Sequence, residues 1–177
     1  MNLKGVRVAI LVEQQYQEME LWYPLYRLRE AGCLVTLVGP EAGHTYASKL
    51  GYPAKADKAA AAVKADDFDA IVIPGGFAPD FMRRHEAMVQ LVRAAGEQGK
   101  VLAAICHGPW LLCSSGGLKG KKATCFFAIK DDVINAGASY TDAEVVRDGN
   151  LITSRKPDDL PAFTLAIIQT LQERFPR

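Results

Sequence analysis

A cysteine stands where an apolar segment meets a turn of small residues, in Ala103-Ala-Ile-Cys-His-Gly-Pro109. A buried strand that runs directly into a helix resembles the nucleophile elbow, in which a sharp turn exposes a nucleophile at the edge of a sheet. The small residues Ala104 and Gly108 permit such a turn. Free N–H groups at the beginning of a helix favour a thiolate and can hold an oxyanion. The pattern therefore predicts that Cys106 is a nucleophile, and the alternative is a buried, unreactive cysteine.

His107 is the histidine next to this thiol, and it could act as a base or an acid. Because consecutive residues of a helix do not face each other, we expect its ring to point away from the sulfur unless the elbow distorts the turn. His44 and His85 fall in a loop and at a helix edge. We expect both of these histidines to be solvated.

Two further segments end at the same predicted edge of the sheet. Glu18 and Glu20 follow the first strand. An ionised carboxylate near the thiol would raise its pKa, whereas a protonated carboxyl would donate a hydrogen bond and lower it; the alternative is an ordinary acidic first turn of a helix. Gly75 and Gly76 follow another strand, and their N–H groups can line an oxyanion site, with a tight turn as the alternative.

Other chemistries lack their sequence patterns. No Gly-Lys-Ser/Thr follows the paired glycines, so a phosphate-binding loop is not predicted. The chain has no acidic cluster of metal-ligand type, and we predict neither a metal nor a cofactor. Cys33, Cys113 and Cys125 lie in apolar stretches without zinc or redox spacing, so we expect free thiols that fill the core.

Apolar strands alternate with helical patterns along the chain. Predicted strands cover residues 5–12, 33–38, 68–73, 101–105 and 122–125, and predicted helices cover 18–31, 86–97, 107–115, 129–135 and a last helix from about 158. Asp148-Gly149 indicates a hairpin, and residues 43–64 are interpreted as a loop with a hairpin around Gly51. The strands lack polar alternation, which predicts a mostly parallel sheet with helices on both faces and a functional crevice at the carboxyl ends of the strands.

Composition excludes several function classes. The chain has 177 residues, which predicts a single domain over residues 1–177. Lys and Arg number 21 against 20 Asp and Glu, so the formal net charge is +1 and gives no electrostatic footprint for nucleic acid or an anionic membrane. No apolar run is long enough to span a bilayer, and no secretory signal is recognised. We therefore expect a soluble, cytoplasmic protein with neither nucleic-acid nor membrane partners.

Taken together, the motifs of this chain resemble those of the PfpI/ThiJ superfamily, which includes intracellular proteases and deglycases. The resemblance covers essentially the whole chain. The segments that carry it are residues 18–21 (EMEL), 73–76 (IPGG), 104–109 (AICHGP), 131–137 (DDVINAG), 144–146 (EVV), 148–150 (DGN) and 154–160 (SRKPDDL). The fold that this resemblance implies is a flavodoxin-like three-layer sandwich of the class I glutamine amidotransferase-like group, with a mostly parallel sheet.

The resemblance also implies roles for individual residues. Cys106 would be the nucleophile and a redox-sensitive thiol, and Glu20 would hydrogen-bond to it. His107 would be the histidine of the dyad, and its acidic partner, Asp80, would come from a neighbouring subunit. Function would then need a homo-oligomer, a dimer or higher. Gly75, Gly76 and the backbone of His107 would surround the sulfur.

Three positions depart from the peptidase-like members of this superfamily. Phe126 stands where they have a tyrosine, Gln17 where they have a glutamate at the entrance, and Asp80 where the protease has the longer glutamate. These departures weaken the case for peptide hydrolysis. The favoured hypothesis is a stress-protective thiol enzyme that acts on small carbonyl or glycated substrates. The alternatives are a cysteine peptidase and a redox sensor or chaperone without turnover.

Overall fold

The computed structural model describes residues 3–176. The strands are β1 Arg7–Leu11, β2 Leu34–Gly39, β3 Thr45–Ala47, β4 Pro53–Lys55, β5 Lys58–Ala59, β6 Ala70–Ile73, β7 Val101–Ile105, β8 Lys122–Ala123, β9 Ser139–Tyr140, β10 Val145–Asp148 and β11 Leu151–Ser154. The α-helices are α1 Glu18–Glu30, α2 Ala78–Met82, α3 Glu86–Glu97, α4 Pro109–Ser115, α5 Lys130–Asn135 and α6 Leu160–Arg174.

The central sheet has the strand order β10-β11-β7-β6-β1-β2-β5. All neighbouring pairs are parallel except β10 and β11, which form the hairpin predicted at Asp148-Gly149. The two central strands β6 and β7 consist of buried apolar residues only, because helices cover both of their faces. Strand, helix and parallel strand therefore alternate as the sequence pattern predicts.

Two helical layers enclose the sheet. α1 packs against α6 and β2, whereas α3 packs against α4, β6 and β7 on the other side. The apolar stripe predicted for the last helix is buried, with Phe163, Ile167 and Leu171 all inaccessible to solvent. This arrangement confirms the three-layer sandwich with a mostly parallel sheet.

Several local elements differ from the sequence-based predictions. The strand expected at residues 122–125 is reduced to β8, which pairs with β9 outside the central sheet. The short helix α2, directly after the paired glycines, was not predicted, because Pro79 at its start indicates a turn equally well. None of the helices within residues 3–176 is long and apolar enough to cross a membrane.

The hairpin of β3 and β4 around Gly51 lies beside the loop that follows β1. Tyr16 in this loop forms isolated bridges with Ser48 of the hairpin and with Gly76 after β6. The Tyr16 hydroxyl also donates a hydrogen bond to the carbonyl of Tyr52 at 2.7 Å. Three segments that are far apart in the sequence thus meet at one end of the sheet.

Candidate active site

The elbow between β7 and α4 has the strained geometry that exposes a nucleophile. Cys106 adopts a φ of +60°, in the left-handed region that side chains disfavour. Position 108 requires glycine, because a Cβ there would lie 2.8 Å from the carbonyl oxygen of Ile105 and would overlap the carbonyl of Ile73. The backbone N–H of Cys106 donates to Ser154 on β11 at 3.1 Å, and its carbonyl accepts from Phe126 at 3.0 Å. Neighbouring segments therefore hold the turn on both sides.

The sulfur of Cys106 lies against His107. Sγ is 3.3 Å from Nδ1 of this ring. The ring does not point away from the sulfur, because the left-handed conformation of residue 106 distorts the turn, which is the exception that the prediction from the sequence allowed. The backbone N–H groups of Gly76 and His107 also donate to the sulfur. Gly76 can do so because its φ is +74°, a conformation that glycine adopts without strain.

Glu20 lies on α1 and is fully buried behind the thiol. Its Oε2 accepts a hydrogen bond from the N–H of Gly75 at 2.7 Å. Its Oε1 has no conventional partner, and the carboxyl interacts with the sulfur of Cys106. Burial is the main cause that raises the pKa of Glu20 from 4.5 to about 7. A proton on Oε1 would satisfy this oxygen by donating to the sulfur, which is the role predicted for Glu20.

The thiol itself is held in its protonated form. Burial first, and then the charge of Glu20, raise the pKa of Cys106 to about 12, while the N–H groups of Gly76 and His107 act in the opposite direction. The sequence predicts a stabilised thiolate, and burial outweighs this effect because α4 is short and the sulfur is largely enclosed. A proton on Glu20 removes this repulsion, so the two groups are linked: protonation of Glu20 favours the thiolate of Cys106.

His107 is placed to remove the thiol proton. Burial, followed by the positive charge of Lys49, lowers the pKa of His107, so the ring is neutral at physiological pH. The ring stacks on Phe126 at 5.1 Å between centroids and packs edge-on against Trp110 at 5.0 Å. These aromatic contacts fix the orientation of the imidazole. A neutral base held 3.3 Å from a thiol can exchange a proton with it.

The thiol opens into a cavity of about 350 Å³. The residues that form its walls are Gln17, Glu20, Lys49, Gly76, Phe77, Cys106, His107, Phe126 and Pro157. The predicted site residues Gln17, Gly76 and Phe126 therefore converge on the sulfur, and Gly75 lies directly behind it. A Cβ on Gly75 would come within 2.9 Å of the His107 nitrogen and 2.8 Å of the Cys106 Cβ, so only glycine fits there. The enclosure suits a small substrate.

Asp80 lies outside this cavity in the described chain. It is on α2, where its carboxylate pairs with Arg84 one turn later. The guanidinium of Arg84 also lies 4.5 Å from the ring centroid of Phe81. Met82, two residues further along α2, is fully buried and therefore adds nothing to the surface around Asp80. Contact between Asp80 and the His107 of another subunit stays a prediction.

Lys49 is the charged residue of the cavity wall that sequence reasoning missed; Phe77 and Pro157 of the same wall were not predicted as site residues either. It lies in the turn between β3 and β4, within a stretch whose weak pattern gives no sign of its position in space. The bridges from Tyr16 to Ser48 and to Gly76 bring this turn to the cavity. No signal in a single sequence connects residue 49 with Cys106.

The remaining cysteines and histidines differ in part from expectation. All four cysteines are free thiols, and Cys33 and Cys125 are buried as predicted. Cys113 is only half-buried, and its sulfur lies 3.7 Å from the carbonyl oxygen of Asp132 on α5. His85 is not simply solvated: its Nε2 lies 3.1 Å from the buried carboxylate of Glu13. Among residues 3–176, no group of three or more His, Cys, Asp or Glu side chains is arranged to hold a metal ion.

Comparison with known proteins agrees with this geometry. The DJ-1/PfpI family model matches residues 6–170. The chain belongs to the DJ-1/PfpI family. Its relatives in this family include a deglycase from Pyrococcus horikoshii, which is 42% identical over 167 residues that cover 94% of this chain and 100% of that protein. A Bacillus subtilis relative, 43% identical over 94% of this chain and 98% of its own length, has a name that proposes a cysteine protease.

Solved structures of the DJ-1/PfpI family show the same fold. A two-domain protein from Anabaena variabilis, with a DJ-1/ThiJ/PfpI-like and a ferritin-like domain, superposes with a TM-score of 0.92 and 47% identity. The match covers 94% of this chain and 48% of that protein, so the chain spans about half of its length. The flavodoxin-like fold implied by the sequence is therefore confirmed.

Proposed function

We propose that this chain is a stress-protective, cysteine-dependent enzyme that acts on small reactive carbonyl compounds, such as glyoxal and methylglyoxal, or on their adducts. The observation that carries the proposal is the enclosure of the Cys106 thiol, with His107 at 3.3 Å and Glu20 behind it, at a cavity of about 350 Å³. Such a cavity accepts a three-carbon carbonyl compound, and the deglycase names of family members support this chemistry.

The proposed reaction is balanced by one water molecule. An amine adduct of methylglyoxal, R–NH–CH(OH)–CO–CH₃, gives the free amine and lactate. The hydroxyl of the adduct loses its proton, the C–N bond breaks, and the amine leaves with a proton. Sγ of Cys106 then bonds to the released aldehyde carbon and forms a hemithioacetal. Transfer of the proton from this carbon to the neighbouring carbonyl carbon gives a thioester, which water hydrolyses to lactate and the free thiol.

His107 and Glu20 would move the protons in these steps. His107 Nδ1 would take the thiol proton as Sγ attacks the released aldehyde and pass it to the aldehyde oxygen, which becomes the hydroxyl of the hemithioacetal. The Glu20 carboxyl lies beside the sulfur of the hemithioacetal and would give and take a proton there. Its pKa of about 7 suits this exchange near neutral pH. The N–H groups of Gly76 and His107, which point at the sulfur, would stabilise negative charge there.

The experiment measures product formation from a defined adduct. Purified protein is incubated with the preformed hemithioacetal of methylglyoxal and with an amine adduct, and lactate and free amine are quantified. We expect turnover that is lost in Cys106→Ala and kept in Cys113→Ala, a thiol outside the cavity. Equal lactate release by the Cys106→Ala variant would mean that buffer or surface thiols scavenge the aldehyde, and it would refute the proposal.

Peptidase activity and thiol sensing remain alternatives. Cys106-dependent cleavage of small fluorogenic peptides would favour a peptidase, although Phe126 and Gln17 leave the cavity without the hydroxyl and the carboxylate expected of peptidase-like relatives. Selective oxidation of Cys106 without turnover of any carbonyl substrate would favour a sensor.

The proposal includes a homo-oligomer, because the acidic partner of His107 is expected from another subunit. Asp80 pairs with Arg84 and would need to face a second chain as well. Light scattering measures the assembly directly. A monomer with full activity would refute any role of Asp80 at a neighbouring His107.

A further inference from the structure

Lys49 lies in a turn that the surrounding chain holds firmly in place. Its N–H donates to the carbonyl of Tyr16 at 3.0 Å, and the N–H of Ser48 donates to Tyr52 at 2.9 Å. The Glu18 carboxylate accepts from the Ser48 hydroxyl and, at 2.7 Å, from the N–H of Leu50. The backbone on both sides of Lys49 is therefore anchored to α1 and to the loop that leads into it. The lysine stem extends from this anchor into the wall of the cavity.

The ammonium group of Lys49 forms no ion pair in the described part of the chain. Its charge is felt across the cavity, since it lowers the pKa of His107 and also acts on Glu18 and Glu20. Glu18 is already engaged by two hydrogen-bond donors of the hairpin. Glu20 is buried behind the sulfur and the imidazole is neutral. The accessible part of the cavity therefore carries one positive charge.

Gln17 stands in the same wall and is neutral. Its Oε1 accepts the N–H of Glu20 at 2.9 Å, which caps α1 and fixes the side chain. Oε1 is therefore occupied, whereas the Nε2 end of the amide has no hydrogen-bond partner among residues 3–176 and stays available as a donor. A carboxylate at position 17 would neutralise the positive charge of Lys49. The neutral amide of Gln17 leaves that charge uncompensated and adds a hydrogen-bond donor to the same wall of the cavity.

We propose that Lys49, together with the amide of Gln17, forms an anion-recognition site that selects substrates carrying a carboxylate close to the carbon attacked by Cys106. This inference takes the carbonyl nature of the substrate from the proposed function. The preference for a negative charge near Cys106 does not depend on that function. An anionic substrate is repelled as the thiolate forms, and an ammonium in the cavity wall offsets this repulsion. Carboxylate-bearing carbonyl adducts should therefore react faster than neutral adducts of the same shape.

The first test uses two alkylating agents that differ only in charge. Iodoacetate and iodoacetamide have nearly the same size, and both form an S–C bond with release of iodide. The rate of Cys106 alkylation by each is measured by mass spectrometry, in the intact folded chain at fixed pH and low salt. The ratio of the two rate constants cancels the intrinsic reactivity of the thiol and reports the preference for an anion.

Four variants give the expected pattern. Lys49→Met should lower the iodoacetate-to-iodoacetamide ratio about three- to ten-fold relative to the unmodified protein, as expected for a partly exposed charge. Lys49→Arg should keep most of the ratio, and Gln17→Glu should lower it as Lys49→Met does. Lys119→Met, an exposed lysine near the opposite end of the sheet, should leave it unchanged. Salt at about 0.5 M should reduce the ratio of the unmodified protein.

The second test measures turnover. Hemithioacetals of methylglyoxal with N-acetylcysteine and with N-acetylcysteine amide differ by a carboxylate against an amide. We expect a higher kcat/KM for the carboxylate adduct. In Lys49→Met the ratio of the two kcat/KM values should fall towards one; this ratio cancels any effect of the substitution on His107, which both adducts share.

The two tests separate failure of the inference from failure of the proposed function. If neither adduct turns over but the alkylation ratio falls in Lys49→Met, the carbonyl function fails and the anion site stands. If Lys49→Met slows both alkylating agents equally, or changes neither, the anion-recognition site is refuted whatever the turnover. A ratio that Gln17→Glu does not change would refute the part assigned to the Gln17 amide.

Discussion

The raised pKa of Glu20 makes a quantitative prediction about stability. The perturbation is Glu20→Gln, which keeps the shape of the side chain and an oxygen that can accept the 2.7 Å hydrogen bond from Gly75. In the folded chain burial holds the pKa of Glu20 at about 7, against an ordinary value of 4.5. Between these values the folded state binds more protons than the unfolded state. The free energy of unfolding therefore falls as the pH rises through this window.

The size of the effect follows from the displacement of the pKa. A carboxyl moved from 4.5 to about 7 corresponds to about 3 kcal/mol of lost stability once it is ionised in both states. Most of this loss, about 2 to 3 kcal/mol, falls between pH 5 and pH 8. The glutamine variant does not ionise and escapes this loss. Its free energy of unfolding should therefore increase relative to that of the original protein by about 2 to 3 kcal/mol between pH 5 and pH 8.

Guanidinium unfolding at pH 5 and pH 8, at one protein concentration, measures this difference. Glu97→Gln, an exposed glutamate at the end of α3, is the control that removes a carboxylate without removing a buried one. The free energy of unfolding of Glu20→Gln minus that of the original protein should be larger at pH 8 than at pH 5. The same difference for Glu97→Gln should not change with pH. Parallel pH dependences for all three proteins would refute a buried carboxyl that is protonated near neutrality.

Three further predictions concern the elbow and its surroundings. Gly76→Ala should lower the free energy of unfolding, measured with guanidinium, by at least about 2 kcal/mol more than Gly120→Ala does. Both glycines have a positive φ, but of the two only Gly76 lies where a Cβ would overlap neighbouring backbone. Equal losses of stability would contradict this close approach. Mild peroxide should oxidise Cys106 before the more exposed Cys113, as mass spectrometry can show, because the neutral ring of His107 lies 3.3 Å from the Cys106 sulfur and can take its proton as the sulfur reacts; the reverse order would mean that the burial of Cys106 outweighs this base. Phe126→Tyr restores a hydroxyl beside His107 and should raise cleavage of fluorogenic peptides, and unchanged cleavage would mean that the hydroxyl does not limit it.

Most of the fold could be predicted from local patterns. Helix α3 and strand β7 have the predicted boundaries, because each is bounded by glycine, charged or turn residues that interrupt an apolar stretch. Short elements were the weak point. Strand β8 and helix α2 depend on partners elsewhere in the chain, and their sequences favour a turn equally well. Such elements are defined by tertiary contacts rather than by propensity.

Most residues of the cavity wall could be predicted from the sequence, with Lys49 missed and Asp80 lying outside it, but the electrostatics of the site could not. Cys106, Gly76 and Glu20 follow strands whose carboxyl ends must share one edge of a parallel sheet, so their convergence could be inferred. The direction in which the pKa of Cys106 is shifted could not be inferred, because it depends on how completely the sulfur is buried. The orientation of His107 likewise depends on one φ angle. Neither quantity is a property of the local sequence.

The sequence by itself determined the parallel sandwich and the position of Cys106 at its edge, since apolar periodicity and small residues at a strand–helix junction are local properties. Only the tertiary structure decided that Lys49 joins the cavity and that Glu20 retains a proton near neutral pH. The physical reason is that electrostatic interactions and desolvation depend on distances between segments remote in the chain, and these distances are defined only when the layers pack.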